Sequence, residues 1–202
     1  QNAVEYWLPT ILQRDKAIPL SEANATYGLM VLIAGITGPL IGVLVGDWLA
    51  RRTSRAYYYV SSSAAFLVTL PLFVIAVATA RIPLFAAVLA EALFGNMATG
   101  LVLALAVNAV APGVRATATA VLLTTGHLLG DAISWPLVGS MSTAMQSGRL
   151  QSLVNAAADL GVSATSHLTI ALISVAIPAV FVSGLLYLTA ARAQAAATGQ
   201  PA

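Results

Sequence analysis

The chain has 202 residues, 59% of them hydrophobic and only 8% charged, with a formal net charge of +2. An ordinary soluble domain carries roughly 25% charged residues, so water is not this chain's main solvent, and the composition is that of a polytopic membrane protein. The small net charge, held in a few arginines at helix ends, argues against a nucleic-acid partner, and the absence of cysteine excludes disulfides, thiolate metal sites and thiol nucleophiles.

The opening QNAVEYWLPTIL is shorter than the ~20 apolar residues a spanning helix needs, yet it reads like the last three turns of one. No Met opens the chain and no charged region precedes a short apolar stretch, so a truncated start without a signal peptide is expected. Tyr6 and Trp7 fit an interfacial aromatic belt better than a substrate contact, and Glu5 is either intramembrane or near the surface. QRDKAIPLSEAN mixes both charge signs with Pro19 and a helix cap at Ser21 or Asn24, as an aqueous loop does. The next span is expected over 27–50. In it Gly38, Gly42 and Gly46 recur every four residues beside Gly35 and Pro39, leaving one face almost bare for another helix.

A third span over 56–80 carries no charge, with Tyr57, Tyr58 and Tyr59 as its belt. After a turn at Arg81 and Pro83, a fourth runs over 82–111 with Glu91 as its only charge. Glu91, Phe94, Ala98, Leu101, Leu105 and Asn108 fall on one stripe, with Gly95 and Gly100 as soft points, the pattern of a gating helix. The fifth span, 116–145, carries His127 and Asp131 near its middle, where a charged side chain costs roughly 2.5–3.5 kcal/mol on insertion scales. Their spacing of four stacks them on one face with Ala120, Thr124, Ser134 and Val138. That polar seam either lines a pathway or ties helices together without touching a substrate. Gly126 and Gly130 allow a close neighbour, and Pro136 is expected to bend the helix.

Depth links the fourth and fifth spans. Glu91 lies about 12 Å from the Pro83 end and His127 on the order of 16 Å from the opposite face of a ~30 Å core, so the two are expected to meet across a cavity. A Glu and a His at one depth suit a proton or headgroup site, with a static polar cluster as the alternative. Beyond this span, Leu150 to Leu160 reads as a short amphipathic helix lying on the membrane. The last span, 165–191, contains His167 and Pro178 and ends at Arg192; residues 193–202 are expected to be a disordered tail.

At the fifth span the sequence becomes recognisable. RATATA followed by HLLGDAIS, then a Pro and LVG, with Pro112 and Arg115 upstream, closely resembles the eleventh helix of the Spinster family, lipid transporters of the major facilitator superfamily. It departs where that family has Ser-Pro and a later Ser-Asp: Trp135 precedes Pro136, which is expected to reshape the cavity wall, and Ser142 and Thr143 replace the later pair. GVLVGDWLARR resembles the superfamily's loop motif, in which an Asp and following basic residues clamp the cytoplasmic side, with Trp48 where a basic residue usually follows the Asp. A cytoplasmic gate of Asp47, Arg51, Arg52 and Arg115 is therefore expected. Arg51, Arg52 and Arg55 together also read as a positive-inside anchor.

The resemblance implies an all-α membrane protein, the C-terminal half of a twelve-helix facilitator with about five full spans and part of a sixth over 1–192. It implies an N-terminal half as partner, membrane lipids around it, and a bacterial inner (cell) membrane as its setting. The implied function is secondary active, proton-coupled transport of a lysophospholipid or a sphingosine-1-phosphate-like lipid by alternating access. Glu91, Phe94, Asn108, His127, Asp131 and Trp135 would form the substrate and proton pathway. A facilitator for a small amphipathic solute, drug or organic anion is the alternative. No enzyme is expected, since neither a Gly-x-Ser-x-Gly elbow nor an HExxH pair occurs, and neither a cofactor nor a metal is expected.

Overall fold

The computed structural model describes residues 2–198, and the chain over that range is all-α. Its helices are α1 (Asn2–Arg14), α2 (Leu20–Ala50), α3 (Ala56–Val77), α4 (Arg81–Asn108), α5 (Arg115–Gln146), α6 (Gln151–Asp159) and α7 (His167–Thr198), with a 3-10 turn at Pro112–Val114 leading into α5. Four of them, α2, α3, α4 and α7, are long and apolar enough to cross a membrane. The expectation of five full spans is met by α5 in length only. Its 32 residues are diluted by Thr117, Thr119, Thr124, Thr125, His127 and Asp131.

Two boundaries differ from expectation for local reasons. α2 begins at Leu20, seven residues early, because Pro19 at φ −54° is already set for a helix start. Ser21 and Asn24 are thus inside the helix and cap nothing. α7 continues through residues 193–198, which were expected to be disordered: the run is rich in alanine, the strongest helix former, and extends a helix already nucleated. The remainder of that expected tail, 199–202, lies outside the described residues.

The largest helix–helix interface joins α2 to α4. The two run parallel, since Gly38 abuts Leu93 and Asn96, Gly42 abuts Met97 and Gly46 abuts Leu101. A Cβ on Gly38 would lie 2.8 Å from the Leu93 carbonyl oxygen, and one on Gly42 would strike the Met97 carbonyl. Only glycine permits the approach, and the bare face is turned inward as the spacing implied. The opposite face of α2 exposes Leu29, Leu32, Ile36, Leu40 and Leu44 to the surroundings, as a lipid-facing surface does. The main core is built by α1, α3, α4 and α7, with Leu8, Ile11, Leu12, Leu72, Leu84 and Ile170 fully buried.

The α1–α2 loop closes one end of the bundle. The Asp15 carboxylate accepts bonds from the Thr169 backbone N–H at 2.8 Å and its hydroxyl at 2.6 Å, satisfying the first turn of α7. Lys16 Nζ donates to the carbonyls of Ala76 and Ala78 at 2.8 and 2.9 Å, which are orphan acceptors at the end of α3. Beside them Arg81 and Glu22 pair at 2.7 Å, joining the first turns of α4 and α2. These ties fix where α1 ends and hence where its other end meets α5.

Candidate functional site

α1 and α5 run parallel, which brings Asn2 against the middle of α5. Asn2 Nδ2 donates to Asp131 Oδ1 at 2.6 Å and lies 3.3 Å from His127 Nδ1, while His127 Nδ1 is 3.3 Å from Asp131 Oδ2. The spacing of four that suggested a polar seam therefore produces a three-residue cluster, and α1 supplies the member that sequence reasoning missed. The His127 side chain is 67% exposed and that of Asp131 24%. The cluster ties α1 to α5 through Asn2 and Asp131 while leaving most of the imidazole uncovered. The imidazole and carboxylate can exchange a proton or hold one between them, and the imidazole's free side can meet a bound headgroup.

His127 stands at one side of a cavity of about 420 Å³ walled by α3, α4, α5 and α7. Its wall is largely apolar, with Val68, Phe94, Val102, Leu122 and Val180, and its polar atoms come from Asn2, His127, Thr99, Ser183 and Tyr187. Phe94 of α4 and His127 of α5 thus line one cavity. Ser183 and Tyr187 were missed, although their i, i+4 spacing on an apolar span is a legible signal.

Glu91 is not on that wall. It is fully buried, and neither carboxylate oxygen has a hydrogen-bond partner among the described residues. It lies instead within electrostatic reach of Tyr27 and Glu5, on the side of α4 that faces α1 and α2. The expected meeting of Glu91 with His127 across a cavity therefore fails. Equal depth fixes a residue's height in the bundle, but azimuth decides its neighbours: Glu91 and Phe94, three residues apart, differ by about 60° around the helix axis, and only Phe94 is on the cavity wall. Asn108 also leaves the expected stripe: it is the exposed last residue of α4.

Trp135 does not line the main cavity. It stacks on Tyr6 with ring centroids 4.3 Å apart and planes 13° from parallel, and Tyr6 meets Trp7 edge to face at 5.1 Å. Trp7 Nε1 donates to the Trp135 carbonyl at 3.2 Å, and Trp135 Nε1 to the Asn2 carbonyl at 3.3 Å. Tyr6 and Trp7, expected as part of an interfacial belt, make helix-to-helix contacts, with Tyr6 still 51% exposed.

At the opposite end of the bundle from the Asp15 tie, Asp47 Oδ1 accepts the Tyr57 hydroxyl at 2.6 Å. Among the described residues no ion pair joins Asp47 to Arg51 or Arg52, so the expected carboxylate–arginine clamp is not closed in this conformation. α2 stops at Ala50, so both arginines fall in the exposed turn, and α3 starts soon enough to bring Tyr57 back beside Asp47. Arg52 lies over the Trp48 ring at 4.6 Å, Arg115 is exposed, and the buried arginine is Arg55, which donates to the Tyr59 hydroxyl at 3.3 Å.

No family model matches the chain. It is 28% identical over 169 residues to the sphingosine-1-phosphate transporter SPNS2 of Xenopus tropicalis, covering 75% of this chain and 32% of that protein. The chain therefore spans about a third of that relative's length. The likeness relates it at a distance to Spinster-type transporters of the major facilitator superfamily, and with the apolar helices it marks a multi-pass membrane protein of that helical type.

Proposed function

We propose that the chain forms the C-terminal half of a secondary transporter that moves an amphipathic lipid, a lysophospholipid or a sphingosine-1-phosphate-like molecule, by alternating access coupled to protons. The observation that carries this reading is a cavity of largely apolar wall into which a few polar groups project, Asn2 and His127 beside each other among them. Apolar walls suit an acyl chain, and a polar corner suits a headgroup that must keep its hydrogen bonds out of water. The distant relative is itself named a sphingosine-1-phosphate transporter, which supports the same class.

In this reading His127 and Asp131 handle the headgroup and a proton, and Phe94 packs on the chain of the lipid. Glu91, buried and with no hydrogen-bond partner among the described residues, is a second group whose charge would change during the cycle, since burial penalises an ionised carboxylate. Asp47 with Tyr57, and the exposed Arg51, Arg52 and Arg115, belong to the cytoplasmic gate. An N-terminal half closes the cavity from the other side, and we place the whole in a bacterial inner membrane. Asn108 and Trp135 have no part in this pathway.

The test follows fluorescent lysolipid movement in liposomes by the full-length protein, with and without a pH gradient, for the wild type and for Glu91→Gln, His127→Ala and Asp131→Asn. The expected result is gradient-dependent movement, abolished by Glu91→Gln or Asp131→Asn. Unchanged movement in all three variants refutes the roles given to these residues. No lipid movement by the wild type refutes the substrate class and favours a small amphipathic solute, for which about 420 Å³ is also sufficient room.

A further inference from the structure

A second hollow lies between α1 and α5, and its walls include Tyr6, Trp7, Asp131, Trp135 and Pro136. We infer that this hollow is a seat for an organic ammonium group, a protonated amine or a quaternary ammonium at the end of an amphipathic molecule. Three features lead there. The aromatic wall is built, since Trp135 and Tyr6 are stacked, Trp7 stands at 87° to Tyr6, and the two planes form a corner. Both indole N–H groups are already spent on the backbone carbonyls of Trp135 and Asn2, which locks the rings and leaves π-surface and ring edges, not these donors, for a ligand. Gly139 lets the edge of the Trp7 ring approach α5: a Cβ there would sit 3.3 Å from it.

The charge on the hollow's wall is of one sign. No lysine or arginine borders it among the described residues, and Asp131 brings its only carboxylate. An anionic headgroup would meet a carboxylate and the negative faces of aromatic rings. An ammonium gains from both, and its weakly hydrated methyl or methylene groups are those that aromatic faces hold best. Each Asp131 oxygen has one neighbour, Asn2 on Oδ1 and His127 on Oδ2, which leaves lone pairs on a carboxyl that is 24% exposed. The hollow touches the proposed pathway at Asp131, but the inference concerns binding and holds whether or not the ligand is carried.

Equilibrium binding to the full-length protein in lipid nanodiscs tests it without transport, with partition into empty nanodiscs subtracted. The probes are dodecyltrimethylammonium, dodecanol and dodecyl sulfate, which share a tail and differ in head charge. The expected result is a preference of about tenfold or more for the ammonium over the other two. Asp131→Asn and Trp135→Leu should each remove most of the preference, while Trp135→Phe, which keeps an aromatic face, retains most of it in a protein of unchanged melting temperature. Equal binding of the three probes overturns the inference, as does a preference that survives both Asp131→Asn and Trp135→Leu. Lipid transport without ammonium preference would leave the proposed function standing and remove only this seat.

Discussion

The bare face of α2 makes a graded prediction about glycine. At Gly42 the atom that a Cβ would strike is the backbone carbonyl of Met97, which cannot rotate away, so α2 and α4 must separate along their whole shared seam. Overpacking of this kind costs ~3 kcal/mol at the upper end of its range, and the better helix propensity of alanine returns ~1, leaving Gly42→Ala about 2 kcal/mol less stable. Gly38→Ala should fall next, because its nearest atoms are the Leu93 carbonyl at 2.8 Å and the Asn96 Cβ at 2.9 Å. Gly46→Ala should cost least of the three, since its nearest contact is the flexible end of Leu101 at 2.8 Å. Gly28 has nothing within 4 Å, so Gly28→Ala should be neutral or stabilising by up to ~1 kcal/mol. The assay is the loss of monodisperse full-length protein on heating in detergent, read by size-exclusion chromatography for all four variants. Equal melting for Gly42→Ala and Gly28→Ala would refute the packing argument, because propensity alone predicts that both gain.

Replacing Asp15 with alanine removes two bonds from the first turn of α7, one of them to a backbone N–H, and should destabilise by about 2 kcal/mol, with hydrogen exchange rising first at Thr169. Burial lowers the Lys16 ammonium below its ordinary 10.5, and neighbouring Asp15 offsets part of that. Between the lowered value and 10.5 the unfolded chain binds more protons, so wild-type stability relative to Lys16→Gln should rise with pH through that window; a falling difference contradicts the sign. Ser62 Oγ donates to the Gly184 carbonyl at 2.9 Å, and Ser62→Ala should cost only ~0.6 kcal/mol, as interhelical bonds in membranes average, measured by the same melting assay. Tyr57→Phe removes the bond to Asp47 while keeping the ring, and transport rate should change more than melting temperature if that bond belongs to a gate.

What the sequence determined by itself follows from local and compositional physics. Apolar runs long enough to cross a bilayer need no knowledge of neighbours, because every backbone group in lipid must be satisfied within its own helix. The glycines at every fourth position of α2 announced a close partner, and His127 and Asp131 announced a shared face, since helical periodicity alone places them. What the sequence could not supply is azimuth and partner. Counting residues along each helix puts Glu91 level with His127, yet Glu91 turns toward Tyr27 and Glu5, because the rotation of α4 is set by the glycine seam against α2 and not by Glu91 itself. Asn2, Asp15 and Lys16 gained their roles from groups more than 50 residues away, including helix-end carbonyls and N–H groups whose positions no local pattern encodes. Trp135 was legible as a departure from a family pattern. Only the parallel docking of α1 on α5 turned it from the main cavity toward Tyr6 and Trp7, where its ring helps form a second hollow.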